Sequence, residues 1–211
     1  MGKPLLIDND ALLKLARYGL LNEALALFGC TPTDVSVLAA AKYSLLPARN
    51  RLRFCKDEES AVRLEAFLRT SKPLDARSAD PDLLDELNVI PNIDAGEALL
   101  LAVGATKKET LVITGDKRSL AALCSHASVA PVSNALAGRV ISVEVLFFML
   151  IERQFALIQE RVRAKPDVDT TLKIVFGVTF PVDYESARQG LDSYIRDLRS
   201  RTGTLLYVTP S

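Results

Sequence analysis

PNIDAGEALLLAVGATKKETLVITGDKRSLAALC runs from Pro91 to Cys124. Asp94 is placed to cap a helix over Ala95–Val103, a run dense in Ala and Leu, the strongest helix formers. Thr110–Thr114 is short and β-rich and ends at Gly115-Asp116; Lys117–Cys124 returns to helical spacing. Helix, strand and helix in this order point to an α/β fold around a parallel sheet. Toward the N-terminus, Lys3–Ile7 reads as a buried strand ending in Asp8. Asp10 is expected to cap a helix over Ala11–Tyr18, which Gly19 stops, and Leu20–Phe28 reads as a second helix. Gly29–Pro32 is a turn, and Thr33 opens an expected helix through Leu46. Pro47–Lys56 is polar and basic, Ser60–Leu68 is amphipathic, Ser71–Pro81 reads as a loop and Asp82–Leu87 as a short helix. Toward the C-terminus, Ser142–Arg163 is a long helix and Ala164–Thr171 a break in composition. Leu172–Val178 reads as a strand, Asp183–Arg199 as a helix and Leu205–Val208 as a strand. The expected organisation is a three-layer α/β sandwich over residues 1–163 and a small strand–helix–strand α/β appendage over 164–211.

Composition narrows the chemistry. The chain has 211 residues, 49% of them apolar, enough for a real core and too apolar for intrinsic disorder. Its 26 basic and 26 acidic residues cancel, which excludes a broadly basic nucleic-acid binder but not a local basic groove. A single histidine, His126, excludes a multi-histidine metal site. Cys30, Cys55 and Cys124 share no CxxC spacing, so a structural zinc site is not expected, and their odd number fits a reducing compartment. The opening MGKPLLIDND has acids where a signal peptide needs an apolar run, and the longest apolar stretch, Val140–Ile151, is interrupted by Glu144 and too short to span a bilayer. A cytoplasmic protein without a membrane partner is the expectation, and catalysis would rest on carboxylates, hydroxyls, Lys or Arg.

Carboxylates stand at telling places. Asp8 follows the first strand directly, and Asp116 follows the Leu111–Thr114 strand after one Gly. Sites in open α/β sheets form outside the carboxyl ends of strands. Asp94 and Glu97, three positions apart, share one side of a helix start. If these acids converge, their mutual repulsion calls for a hard divalent cation, Mg²⁺ or Mn²⁺, which takes oxygen ligands and supports in-line phosphodiester hydrolysis. Each acid alone also fits a capping role, Asp94 and Glu97 as a capping box above all.

In their order, these residues resemble the PIN domain family. Leu5-Leu6-Ile7-Asp8-Asn9-Asp10-Ala11-Leu12 is similar to its opening, Asp94-Ala95-Gly96-Glu97-Ala98 to its central acidic helix, and Leu111-Val112-Ile113-Thr114-Gly115-Asp116 to its late strand and closing acid. The resemblance covers about residues 4–150. It implies a Rossmann-like sandwich and a Mg²⁺- or Mn²⁺-dependent endoribonuclease with Asp8, Asp94 and Asp116 as catalytic metal ligands, Glu97 assisting, and Asp10 and Thr114 in support. Many relatives are toxins of toxin–antitoxin pairs, so an antitoxin is an implied protein partner. One departure stands out: the family's usual acid in the helix expected over Thr33–Leu46 falls on Lys42. Either Glu97 replaces that ligand, or Lys42 neutralises the cluster and the chain is a weakened, non-catalytic module binding RNA or a protein. A phosphatase or DNA nuclease on a similar scaffold is a third reading.

Arg49, Arg51 and Arg53 beside Phe54, together with Lys117 and Arg118, are candidate RNA contacts, with a solvated surface face as the alternative. The cysteines read as packing residues and His126 as a capping or surface residue. Val143–Ile151 reads as core, with a homodimer interface as the alternative.

Overall fold

The computed structural model describes residues 3–208. At its centre five strands run parallel: β1 Leu5–Ile7, β2 Val35–Leu38, β3 Lys72–Leu74, β4 Leu111–Thr114 and β5 Val140–Ser142. Their order is β3-β2-β1-β4-β5. β1 therefore lies in the middle, with Ile7 opposite Val37 of β2 and Ile113 of β4. Helices fill every crossover. α1 Asn9–Tyr18 and α2 Leu21–Ala26 follow β1; α3 Ala41–Leu45, α4 Leu52–Cys55 and α5 Glu58–Thr70 follow β2. α6 Pro81–Asn88 and α7 Ala95–Thr106 follow β3; α8 Lys117–Ser125 and α9 Ala130–Ala135 follow β4. α10 Val143–Ala164, α11 Thr170–Val175 and α12 Tyr184–Thr202 complete the chain after β5. This is the three-layer α/β arrangement expected from the Pro91–Cys124 unit.

Both faces of the sheet are covered, so the central strands need no alternation. Leu5, Ile7, Val35, Ile113 and Val140 have no exposed surface, and parallel strands buried on two sides read as unbroken apolar runs. Gly104 lets α7 close on β4: a Cβ there would lie 2.7 Å from Val112 Cγ2 and 3.1 Å from Leu136 Cδ2. A glycine inside a helix costs stability relative to Ala, and the close approach is what it gains here.

The C-terminal segment is helical where a strand was expected. Thr170–Val175 forms α11, with the Asp169 side chain accepting from Leu172 N at 2.9 Å. That cap outweighs the β-branched composition of the run. α12 packs on α8 and α10, burying Leu191, Ile195 and Leu198. Of the expected final strand only one parallel bridge forms, Val140 to Leu206. Three ion pairs fasten the α10–α11 connection: Lys165 to Asp57 at 2.7 Å, Arg17 to Asp167 at 2.5 Å and Lys14 to Asp169 at 2.8 Å.

Other expectations are corrected. The helix expected over Thr33–Leu46 is instead a turn at Pro32–Asp34, strand β2 and the short α3. Val35 and Val37 are buried while Ser36 and Leu38 are half-buried, a two-residue period that the Ala39–Ala41 run disguises. Asp8, not Asp10, caps α1. Within the expected Ser71–Pro81 loop, Lys72–Leu74 forms the edge strand β3, where Pro73 is tolerated because edge strands leave N–H positions unused. β5 lies hidden at the start of the Val140–Ile151 run, and its last residue, Ser142, caps α10. Val143–Ile151 packs into the core on its buried side. Among the described residues, no helix is long and apolar enough to cross a membrane.

Gly104→Val is expected to destabilise the chain by about 1–3 kcal/mol through overpacking. Urea unfolding followed by circular dichroism measures it, and an unchanged midpoint would contradict the close α7–β4 contact.

Candidate active site

Asp8 leaves β1 at the point where the sheet meets α1. Its backbone N–H donates to Ile113 O at 3.0 Å, extending the β1–β4 ladder by one bond. Its side chain caps α1, Oδ1 accepting from Ala11 N at 2.6 Å. Oδ2 accepts from Thr114 Oγ1 at 2.5 Å and from Gly115 N at 2.8 Å. Burial pushes the carboxyl pKa up to about 6, although these three donors and the nearby charge of Asp10 pull in opposite directions. Thr114 also accepts from Asp116 N at 3.1 Å through the same hydroxyl, so it links the two strand-end acids. Asp10, in the first turn of α1, pairs with Lys14 at 2.7 Å. Its carboxylate lies against Gly115, where a Cβ would come within 1.8 Å of Oδ2, so a larger residue there would push the Asp10 side chain aside.

On the facing side, Asp94 and Glu97 form the capping box of α7. Asp94 Oδ1 accepts from Glu97 N, and Glu97 Oε2 accepts from Asp94 N, each at 2.8 Å. Asp116 caps α8 through Arg118 N at 2.7 Å and Ser119 N at 3.1 Å. Burial raises the Glu97 pKa to about 8, and the charges of Asp116 and Asp94 push in the same direction. Burial opposes ionisation of Asp116 as well. The N–H groups of Ser119 and Arg118 and a hydrogen bond from Glu97 nevertheless keep its carboxyl below the usual value. Burial and its acidic neighbours therefore favour the protonated form of Glu97 near neutral pH, with Asp116 as the carboxylate beside it.

Asp8, Asp10, Asp94, Glu97 and Asp116 line one cleft of about 570 Å³ at the carboxyl ends of β1 and β4. Asn9, Lys117 and Arg118 line it too. All the candidate metal ligands thus face one cavity. Among the described residues, though, no three of the His, Cys, Asp and Glu side chains gather closely enough to grip a metal as they stand.

Lys42 does not enter this cleft. It is exposed on α3, because the chain reaches it by a strand and a short helix rather than one long helix. Arg49, Arg51 and Arg53 also lie outside the lining. Arg51 is neutralised by Glu58 and Glu65, and Arg53 stacks over the Phe54 ring at 5.0 Å. Arg118 is open to solvent, 3.7 Å from Asp116 Oδ2. His126 ends α8 with Nδ1 at 2.8 Å from Ala122 O, a capping role.

Sequence reasoning missed two residues, one in the lining of the cleft and one behind it, paired with Lys117. Asn9 donates to Ser44 Oγ at 3.3 Å, tying α3 to the cleft, and its buried Oδ1 has no partner. Glu144, 3% exposed, accepts from Lys117 Nζ at 2.7 Å. Its signal was present as the one acid in the Val140–Ile151 run, just past a strand end.

The pH dependence of the cation-free protein follows from Glu97 and Asp8. Burial raises each above its ordinary value, from 4.5 to about 8 for Glu97 and from 3.8 to about 6 for Asp8. The native state binds more protons than the unfolded chain across those windows, so stability falls as pH rises through them. Thermal melts in chelator from pH 5 to pH 8 are expected to show declining midpoints, with the decline above pH 6 flattened in Glu97→Gln. An identical slope in the variant would refute the protonation of Glu97. No family model, no curated protein and no solved structure matches this chain.

Proposed function

We propose that the chain is a divalent-cation-dependent phosphodiesterase acting on RNA, an endoribonuclease of PIN type. The observation that carries the reading is the convergence of five carboxyl groups, Asp8, Asp10, Asp94, Glu97 and Asp116, on one cleft at the carboxyl ends of the strands. Like charge gathered this closely favours protonation or a bound cation, and the same oxygens suit Mg²⁺ or Mn²⁺. The donor set fits such an ion: carboxylates only, with the second oxygen of Asp94 free of hydrogen bonds among the described residues. Asp94, Glu97 and Asp116 would hold the ion, with Asp8 behind them. When bound, it supplies charge neutralisation at a phosphate and activation of a water.

The residues contribute the rest. Asp8, fixed by Ala11, Thr114 and Gly115, holds the floor of the cleft rigid. Thr114 keeps the backbone of Asp116 in register with it. Glu97 releases its proton when cationic charge enters. Arg118, exposed at the first turn of α8, reaches a phosphate as a bidentate donor. The preference for RNA and an antitoxin-like partner rest on the resemblance of the three acidic motifs to PIN domains. A second reading is a module that binds RNA or a protein without cleaving. It is favoured by the absence of a ready-made ligand triad among the described residues, and no longer by Lys42, which stands outside the cleft.

Incubating single-stranded RNA with the protein and Mn²⁺ is expected to produce cleavage that chelator abolishes. Asp116→Asn and Asp94→Asn keep good caps, since Asn caps helices as well as Asp. Each is expected to lower the rate by about 100-fold or more, equivalent to roughly 3 kcal/mol of transition-state stabilisation. Wild-type rates in both variants would reject the assignment.

Mn²⁺ binding near pH 7 is further expected to release about one proton, because Glu97 must ionise. Calorimetry in two buffers of different ionisation enthalpy measures it. No heat of binding would favour the non-catalytic reading.

A further inference from the structure

A second cavity of about 500 Å³ is lined by Asn92, Arg118, Ser125, His126 and Arg201, with Ala121 and Ala122 as its apolar part. No carboxylate belongs to that lining. Arg118 lines both this cavity and the acidic cleft, so the two are neighbours that share one side chain. The cavity follows α8 from its first turn to its end at Ser125, bordered by the last turn of α12.

Its donors are held but not used up. Arg201 Nη2 pairs with Asp197 Oδ2 at 2.5 Å, and the side chain remains 47% exposed. Arg118 is 82% exposed. The Ala122 carbonyl can only accept, so it fixes a proton on His126 Nδ1 and leaves Nε2 without a partner among the described residues. Two guanidinium groups in one lining, with the neutral side chains of Ser125 and Asn92, supply the donor chemistry that phosphate oxygens take.

We propose that this cavity is a second phosphate subsite, binding a backbone phosphate of the polynucleotide whose scissile phosphodiester lies in the acidic cleft. Arg118 bridges the two positions, and Arg201 holds the flanking phosphate. The proposal rests on the phosphodiesterase reading and adds the path of the strand, along α8 toward the end of α12. Charge complementarity selects the occupant: a ligand that enters an acidic cleft needs a polyanion's remaining charge neutralised nearby.

The test is binding in chelator, where no cleavage occurs. A labelled oligoribonucleotide of about ten nucleotides is titrated at several salt concentrations against the wild type and Arg201→Gln. Loss of one phosphate contact is expected to reduce the slope of log affinity against log salt by roughly 0.7. The chain's only histidine, His126, gives one imidazole signal set in nuclear magnetic resonance, and the oligonucleotide is expected to shift it. An oligonucleotide that binds with an unchanged slope in Arg201→Gln and leaves His126 unmoved overturns the subsite. Inorganic phosphate is the control: if it shifts His126 as far at equal phosphate concentration, the cavity is a free-anion site and the proposal falls. Mn²⁺ binding and RNA cleavage by the wild type are measured separately. Their presence with a failed salt test removes the subsite alone, whereas their absence removes the phosphodiesterase reading and the subsite with it.

Discussion

The carboxylate of Asp8 sits where β1 ends, α1 begins and the β4–α8 connection turns, and it is hydrogen-bonded to α1 and to the end of β4 with its turn. β1 is the central strand, so this side chain fixes the middle of the sheet relative to the helix that follows it and to the strand beside it. Burying a carboxylate is costly unless donors surround it. Ala11 N, Thr114 Oγ1 and Gly115 N supply them, and the pKa still rises to about 6. An amide would present two N–H groups to donors that already point inward. A shorter side chain would leave those donors buried without partners. The geometry at the carboxyl end of the sheet depends on this single anion.

Around it, each negative charge is balanced by a different local device. Asp10 has Lys14. Asp94 and Asp116 accept from the free N–H groups of α7 and α8, where the helix dipoles favour anions. Glu97 is left over and keeps its proton. Capping and ligation thus compete for the same oxygens, which explains how five acids line one cavity without forming a preassembled ion cage. The helices begin where they do because the acids cap them, and the cleft is acidic because the helices begin there.

Much of this was legible in the sequence. The α7–β4–α8 unit is readable because its periods change cleanly and Asp94 and Asp116 punctuate it. The acids of the cleft are readable because strand ends in a parallel sheet point to one side. What escaped shows where local pattern fails. β2 was lost behind the Ala39–Ala41 run, and with it the position of Lys42. β5 was lost because strand and helix follow each other without a polar break. α11 was mistaken for a strand because one cap outweighed composition. The Thr114–Asp8 bond joins residues 106 positions apart, and the protonation of Glu97 depends on burial that no window of sequence contains. The pairing of Lys117 with Glu144 needs β5 to be recognised first.

Lys14 serves two acids at once, Asp10 at the cleft and Asp169 beyond α10. Its ammonium is a hinge pin between the carboxyl end of the sheet and the C-terminal helices. A chain cut before Asp169 would bare the apolar sides of α8 and α10 and also shift Lys14 wholly onto Asp10, quenching one of the cleft's charges. Trimming the tail would therefore retune the electrostatics of a cavity it never touches.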